Sequence, residues 1–234
     1  MIRIPAITSE NLIVSKNDNI GYPPVDKEII HDVIDNSPSG ALSADKAVRL
    51  MDAIGLSHQK EIIATTILEA KMAAIDIGYP VNLKSISMHE DGETSSVINV
   101  TDENTMRLEF KRLMLDSDVK GVLISPSLEG ERAYFGIRQR AKYGHIILCG
   151  TYPATEQKPV TFAACTIPVS KEDATEAMER VQGNYQLNKI MFVDTLRRLS
   201  ALCSVAPRIE SMDIMPVVAS ARSVVALDIS VVLS

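Results

Sequence analysis

Residues 78–84 read Gly-Tyr-Pro-Val-Asn-Leu-Lys, and this string fixes more about the fold than any other stretch. A glycine followed two residues later by proline stops a helix, because the ring fixes φ and removes a backbone donor. The residues before it, 67–77, follow Thr66, a good N-cap, and read as a helix. Those after it alternate: Val81 and Leu83 are apolar, Asn82 and Lys84 polar, the period of a half-buried strand. A helix ends and a strand begins within three residues, so this region is built of mixed helix and strand layers.

The same alternation extends in both directions. Ser43 caps a helix over 44–54 in which Ala47, Leu50, Met51 and Ile54 form an apolar stripe, ended by Gly55. Strands are expected at 61–65, 81–86 and 97–100, with a polar loop at 87–96 and a helix over 102–114. Farther on, 121–125, 132–138 and 145–149 are β-rich and closely spaced, which favours antiparallel pairing. An extended stretch at 161–168, helices at 171–180 and 187–203, and strands near 209–214 and 224–229 complete the chain. Residues 1–40 are more polar, with a short helical pattern at 25–34, and read as a leader or linker. The expected division is therefore 1–40, an N-terminal subdomain at 41–118 and a C-terminal subdomain at 119–234, two α+β lobes of similar size.

Composition narrows the class of function. With 234 residues, 46% of them hydrophobic, the chain can bury a real core. A net charge of −6 and 4% aromatics without tryptophan argue against nucleic acid as partner. No run approaches the roughly 20 apolar residues of a membrane span, and no signal peptide is expected at the N-terminus. Cys149, Cys165 and Cys203 form no CxxC pair and read as idle thiols of a cytoplasmic protein.

Several strings, in consistent order over roughly residues 22–230, resemble the ATP-grasp half of ADP-forming acyl-CoA synthetases and the related β subunit of succinyl-CoA synthetase. They are 42–56 (LSADKAVRLMDAIGL), the 78–84 turn, 121–136 (GVLISPSLEGERAYFG), 143–150 (YGHIILCG), and 213–217 (DIMPV) with Asp228. The resemblance implies an ATP-grasp fold of two lobes, each a β-sheet flanked by helices, with ATP or ADP and Mg²⁺ between them. It implies phosphoryl transfer, in which acyl-CoA, ADP and phosphate yield acid, CoA and ATP, the phosphoryl group passing through histidine. It also implies an α-type partner, subunit or fused domain, carrying the CoA-binding and phosphohistidine parts, in an oligomer. The string 3–10 (RIPAITSE) loosely resembles the end of that partner, so the chain is also readable as a piece of a fused protein.

Carried over residue by residue, the resemblance makes Lys84, Glu131 and Lys158 nucleotide-facing, His89 the phosphoryl relay, and Asp213 and Asp228 the metal ligands. The chemistry suits the residue types: lysine neutralises phosphate oxygens, carboxylates hold a hard divalent ion, and a neutral imidazole is nucleophilic. His145, alternating with apolar neighbours, reads as a packed histidine, and His31 and His58 have no supporting context. The sequence departs from the family at several places, among them the 125–127 hinge (Ser-Pro-Ser) and the 89–97 string, which is one residue longer and has Ser95-Ser96 in place of glycines. Met215 stands where an asparagine is usual, and Gln157 where a glutamate is. Residues 151–160 (TYPATEQKPV) lack a glycine run, and 182–186 read QGNYQ. A second reading follows, a degenerate ATP-grasp domain kept for assembly or ligand sensing, and a third is another carboxylate–amine ligase of the superfamily.

Overall fold

The computed structural model describes residues 7–15, 20–87, 97–128, 130–152, 161–183, 188–219 and 224–234. In chain order these form β1 (Leu12–Ile13), α1 (Lys27–Asp35), β2 (Gly40–Ala41), α2 (Ala44–Ala53), β3 (Ser57–His58), β4 (Ile62–Ala64), α3 (Ile67–Ile77), β5 (Val81–Ser87) and β6 (Ile98–Val100). Then come α4 (Glu103–Leu113), β7 (Val119–Pro126), β8 (Glu131–Arg140), β9 (Gly144–Tyr152), β10 (Thr161–Thr166), α5 (Lys171–Gln182), α6 (Lys189–Val205), β11 (Ile209–Ala219) and β12 (Val224–Leu233). The α+β class and sheets flanked by helices are those expected of an ATP-grasp fold. The chain divides into two compact units, one of residues 1–58 and 129–234, the other of residues 59–128.

In the first unit the described strands make one eight-stranded sheet, ordered β1-β10-β9-β8-β11-β12-β2, with β3 on β12. Most neighbours run antiparallel; β1 on β10 and β3 on β12 are parallel. Because strand side chains alternate, Phe135, Ile137, Ile147, Cys149, Met212 and Ile214 fall on one face. There they bury against Ile30 and Val33 of α1, Leu50 of α2, Ala177 of α5, and Phe192 and Leu196 of α6. Phe135 and Phe192 meet with ring centroids 4.7 Å apart. The opposite face carries a smaller apolar group, Tyr134, Ile146, Leu148 and Ala164, with Leu12, Phe162 and Met215 against it.

The second unit has a four-stranded antiparallel sheet, β4-β7-β5-β6, with α3 and α4 on one face. Its core is Ala70, Ala73 and Ala74 of α3 and Met106 and Phe110 of α4, against Val81, Leu83, Val122 and Ile124. Alanine on the inner face of α3 lets the helix lie close to the sheet. Its start is fixed by a reciprocal capping box between Thr66 and Glu69, and its end by Gly78 at φ 90°, a left-handed region that favours glycine.

These units differ from the expected division in two ways. The described part of residues 1–40 does not stand apart: α1 buries Ile30, Val33 and Ile34 in the first unit's core, and β1 and β2 join its sheet. The boundary expected at 118/119 falls just before β7, which pairs with both β4 and β5 and so belongs with the segment before it.

Candidate functional site

The polar centre of the first unit's sheet is built from one strand's alternation. Tyr134, Gly136 and Arg138 occupy every second position of β8, and Asp213 on β11 lies directly across from Gly136. The Tyr134 hydroxyl donates to Asp213 Oδ1 at 2.8 Å, and Arg138 Nη2 donates to the same oxygen at 2.6 Å. Arg138 Nη1 donates to the carbonyls of Ile137 at 2.7 Å and Met212 at 2.9 Å. The ion pair is nearly closed to water, its side chains 7% and 10% exposed. Such a carboxylate is tolerable only when charge-paired and hydrogen-bonded, as it is here. Burial pushes the Tyr134 phenol well above its ordinary range, with the Asp213 charge adding to the shift, so the hydroxyl remains a donor. Gly136 makes the cluster possible. A Cβ there would collide with the Tyr134 hydroxyl and sit 3.0 Å from the Met212 carbonyl oxygen.

Two residues along β11, Met215 is directly across from Asp228 of β12. Asp228 is exposed, whereas Met215 is half-buried against the smaller apolar group. Ser230 is across from Asp213. Glu131, half-buried at the start of β8, pairs with Ala219. Among the described residues no group of three or more His, Cys, Asp and Glu is placed to hold a metal ion.

In the second unit Lys84 projects from the exposed side of β5, across from Leu123 of β7, and makes no ion pair among the described residues. Leu83, its neighbour, points the other way into the core, as strand alternation requires. Nearer the strand start, Asn99 Nδ2 donates to Asn82 Oδ1 at 3.2 Å and to Ser127 Oγ at 2.5 Å, while Asn82 Nδ2 donates to the Pro126 carbonyl at 3.4 Å. These side chains form a polar patch on the face of the sheet that carries Lys84.

The sequence-predicted site residues therefore sit in distinct places. Asp213 and Asp228 lie on adjacent strands of one unit, Glu131 at the start of β8 in that unit, and Lys84 on the other unit. His89 and Lys158 lie outside the described residues. The sequence reading missed Tyr134, Gly136 and Arg138. Their signal was a Tyr-x-Gly-x-Arg spacing on a strand already expected, which puts three residues on one face. His145 is buried, its Nε2 2.7 Å from the Ile209 carbonyl oxygen, which agrees with a packing role. The three cysteines are free and buried; burial pushes Cys165 up to about 12 and Cys149 and Cys203 upward as well. No helix of the described residues is long and apolar enough to cross a membrane.

Comparison with known proteins places this arrangement in context. The model of the ATP-grasp domain family matches residues 32–233. The chain is 26% identical over 195 residues to the β subunit of acetate–CoA ligase (ADP-forming) II of Pyrococcus furiosus, covering 74% of this chain and 82% of that subunit. It is 28% identical over 197 residues to acetate–CoA ligase (ADP-forming) II of Archaeoglobus fulgidus, covering 78% of this chain but only 29% of that longer protein. In fold it is similar to the Ca. Korarchaeum cryptofilum dinucleotide-forming acetyl-coenzyme A synthetase 1, solved with coenzyme A and Ca-AMPCP. That match has a TM-score of 0.67 at 18% identity and covers 89% of this chain and 99% of the solved one.

Proposed function

The chain belongs to the ATP-grasp domain family, and from that premise we propose that it is the nucleotide-binding component of an ADP-forming acid–CoA ligase. The reaction is acyl-CoA, ADP and phosphate to acid, CoA and ATP. The observation that carries this reading is the similarity to a separate β subunit along 82% of that subunit's length. The exposed Lys84 on β5 supports it, since a lysine with no ion pair among the described residues is available to phosphate oxygens. The match to only 29% of the longer archaeal ligase supports placing CoA binding and acyl selectivity in a further subunit or domain.

In this reading phosphate displaces CoA from the acyl carbonyl, a histidine accepts the phosphoryl group as the acid leaves, and ADP then takes it to become ATP. Phosphoryl transfer has little covalent chemistry for a protein to perform, so positioning and charge neutralisation dominate. Lys84 neutralises the terminal phosphate oxygens, and the polar patch at Asn82, Asn99 and Ser127 offers donors and acceptors to the nucleotide. Glu131 and Lys158 are the further nucleotide-facing groups, and His89 the relay assigned by resemblance. ATP-grasp domains generally use Mg²⁺ beside the phosphates, where it supplies charge neutralisation. The donors on β11 and β12 fit that ion poorly.

The alternative is a degenerate ATP-grasp module kept for assembly or sensing. Two observations favour it: Asp213 is engaged by Arg138, and a thioether stands across from Asp228. The two readings separate in the assembled enzyme, assayed for ATP formation from acyl-CoA, ADP and phosphate. The catalytic reading expects Lys84→Ala to cost about a hundredfold in kcat, the scale of losing one electrostatic stabiliser. Unchanged turnover assigns the chain to the module reading.

A further inference from the structure

We propose that the β11–β12 strand pair of this chain holds no divalent cation, and that a nucleotide bound by the chain binds independently of metal. The second clause rests on the family reading above; the first stands on the geometry alone.

Mg²⁺ demands near-octahedral oxygen coordination and is held in proteins by one or two carboxylates together with phosphates. Two directly opposed pairs on one face of the strand pair include the two acids, Asp213 with Ser230 and Met215 with Asp228. Asp213 is already committed. Its Oδ1 accepts from both Tyr134 and Arg138, and the guanidinium lies 2.6 Å away in a site closed to water. A dication there would approach a fixed cation, and Arg138 cannot swing aside without abandoning the Ile137 and Met212 carbonyls it also satisfies. Gly136 locks the arrangement, because the ring of Tyr134 fills the space a side chain would take. Asp213 is thus a structural anion of the β8–β11 seam.

That leaves Asp228, and its direct neighbour across the ladder is a thioether, a soft donor poorly matched to Mg²⁺ or Mn²⁺. One exposed carboxylate beside a sulfur is a weak hold for a hard ion. The described residues offer no third acid or imidazole to complete it. The substitution at Met215 and the occupation of Asp213 by Arg138 are independent features, and both remove oxygen donors from the same strip of sheet.

The test uses the full chain and two probes. Mn²⁺ alone is followed by its free-ion EPR signal, and ADP affinity is measured by equilibrium dialysis with and without Mg²⁺, in wild type, Asp228→Asn and Met215→Asn. The wild type is expected to leave the Mn²⁺ signal unchanged, or to take up ion identically in Asp228→Asn, which places that ion elsewhere. ADP affinity is expected to change less than about twofold with Mg²⁺. Met215→Asn, which restores an oxygen across from Asp228, is expected to gain Mn²⁺ uptake. Mn²⁺ uptake by the wild type that Asp228→Asn abolishes overturns the proposal. So does an ADP affinity tightened about tenfold or more by Mg²⁺, or a Met215→Asn chain that gains nothing. If no form binds ADP, the nucleotide-binding reading fails, while the Mn²⁺ measurement still decides the metal claim.

Discussion

Arg138 and Asp213 form an ion pair that ties β8 to β11 and is nearly closed to water. A carboxylate between Met212 and Ile214 in an apolar strand needs a partner, and that need was legible in the sequence. The identity of the partner was not, because Arg138 is 75 residues away and only the β8–β11 register brings it across. The register places Asp213 in this nearly closed ion pair with Arg138. Removing one partner of such a pair strands the other charge, so Arg138→Met should lower unfolding stability by about 3–5 kcal/mol. Pairing it with Asp213→Leu should recover most of that loss, and denaturant midpoints of the two variants check it. Tyr134→Phe, which leaves Arg138 in place, should cost only about 1 kcal/mol. The three thiols make a separate prediction at this scale. Buried and held protonated, they should be silent to a thiol reagent in the native chain and all titrate once it is denatured.

Among elements, those with a full period were readable and those without were not. Helix α3 was delimited by Thr66 and Gly78, and the observed span Ile67–Ile77 uses both. Strands β1, β2 and β3 have two residues each, too few to show an alternation, and exist only because a longer strand offers them an edge. Acidic caps tie two helix starts to pH. The backbone N–H of Thr65 and its hydroxyl hold Glu69 below the ordinary carboxylate range, and the backbone N–H and hydroxyl of Thr105 do the same for Asp102. A depressed folded-state value means that each cap stabilises above the unfolded carboxyl value and loses that contribution as pH falls through the folded one. Amide exchange in the first turns of α3 and α4 should therefore accelerate selectively under acid, below the usual carboxylate titration. Thr66→Ala should remove the other half of the α3 capping box, the hydroxyl that accepts from the Glu69 N–H, at about 1 kcal/mol at neutral pH.

At the scale of the whole chain, the order of helices and strands was readable, but the partition into units was not. Residues 59–128 interrupt a unit whose two parts are joined by Ala41 pairing with Val232 and Ser57 with Val225, contacts across most of the sequence. Nothing local marks an insertion of that kind. Each unit has its own core, so truncations should act locally. Ile124→Ala in one and Leu196→Ala in the other should each cost about 2–5 kcal/mol, with lost exchange protection confined to the unit that carries the change. The proposed function depends above all on nucleotide binding through Lys84. Equilibrium dialysis of ADP against the full chain and Lys84→Ala tests that binding most directly. Saturable binding weakened about tenfold or more by the substitution is expected; no saturable binding at millimolar ADP, or equal binding by both forms, contradicts nucleotide binding through Lys84.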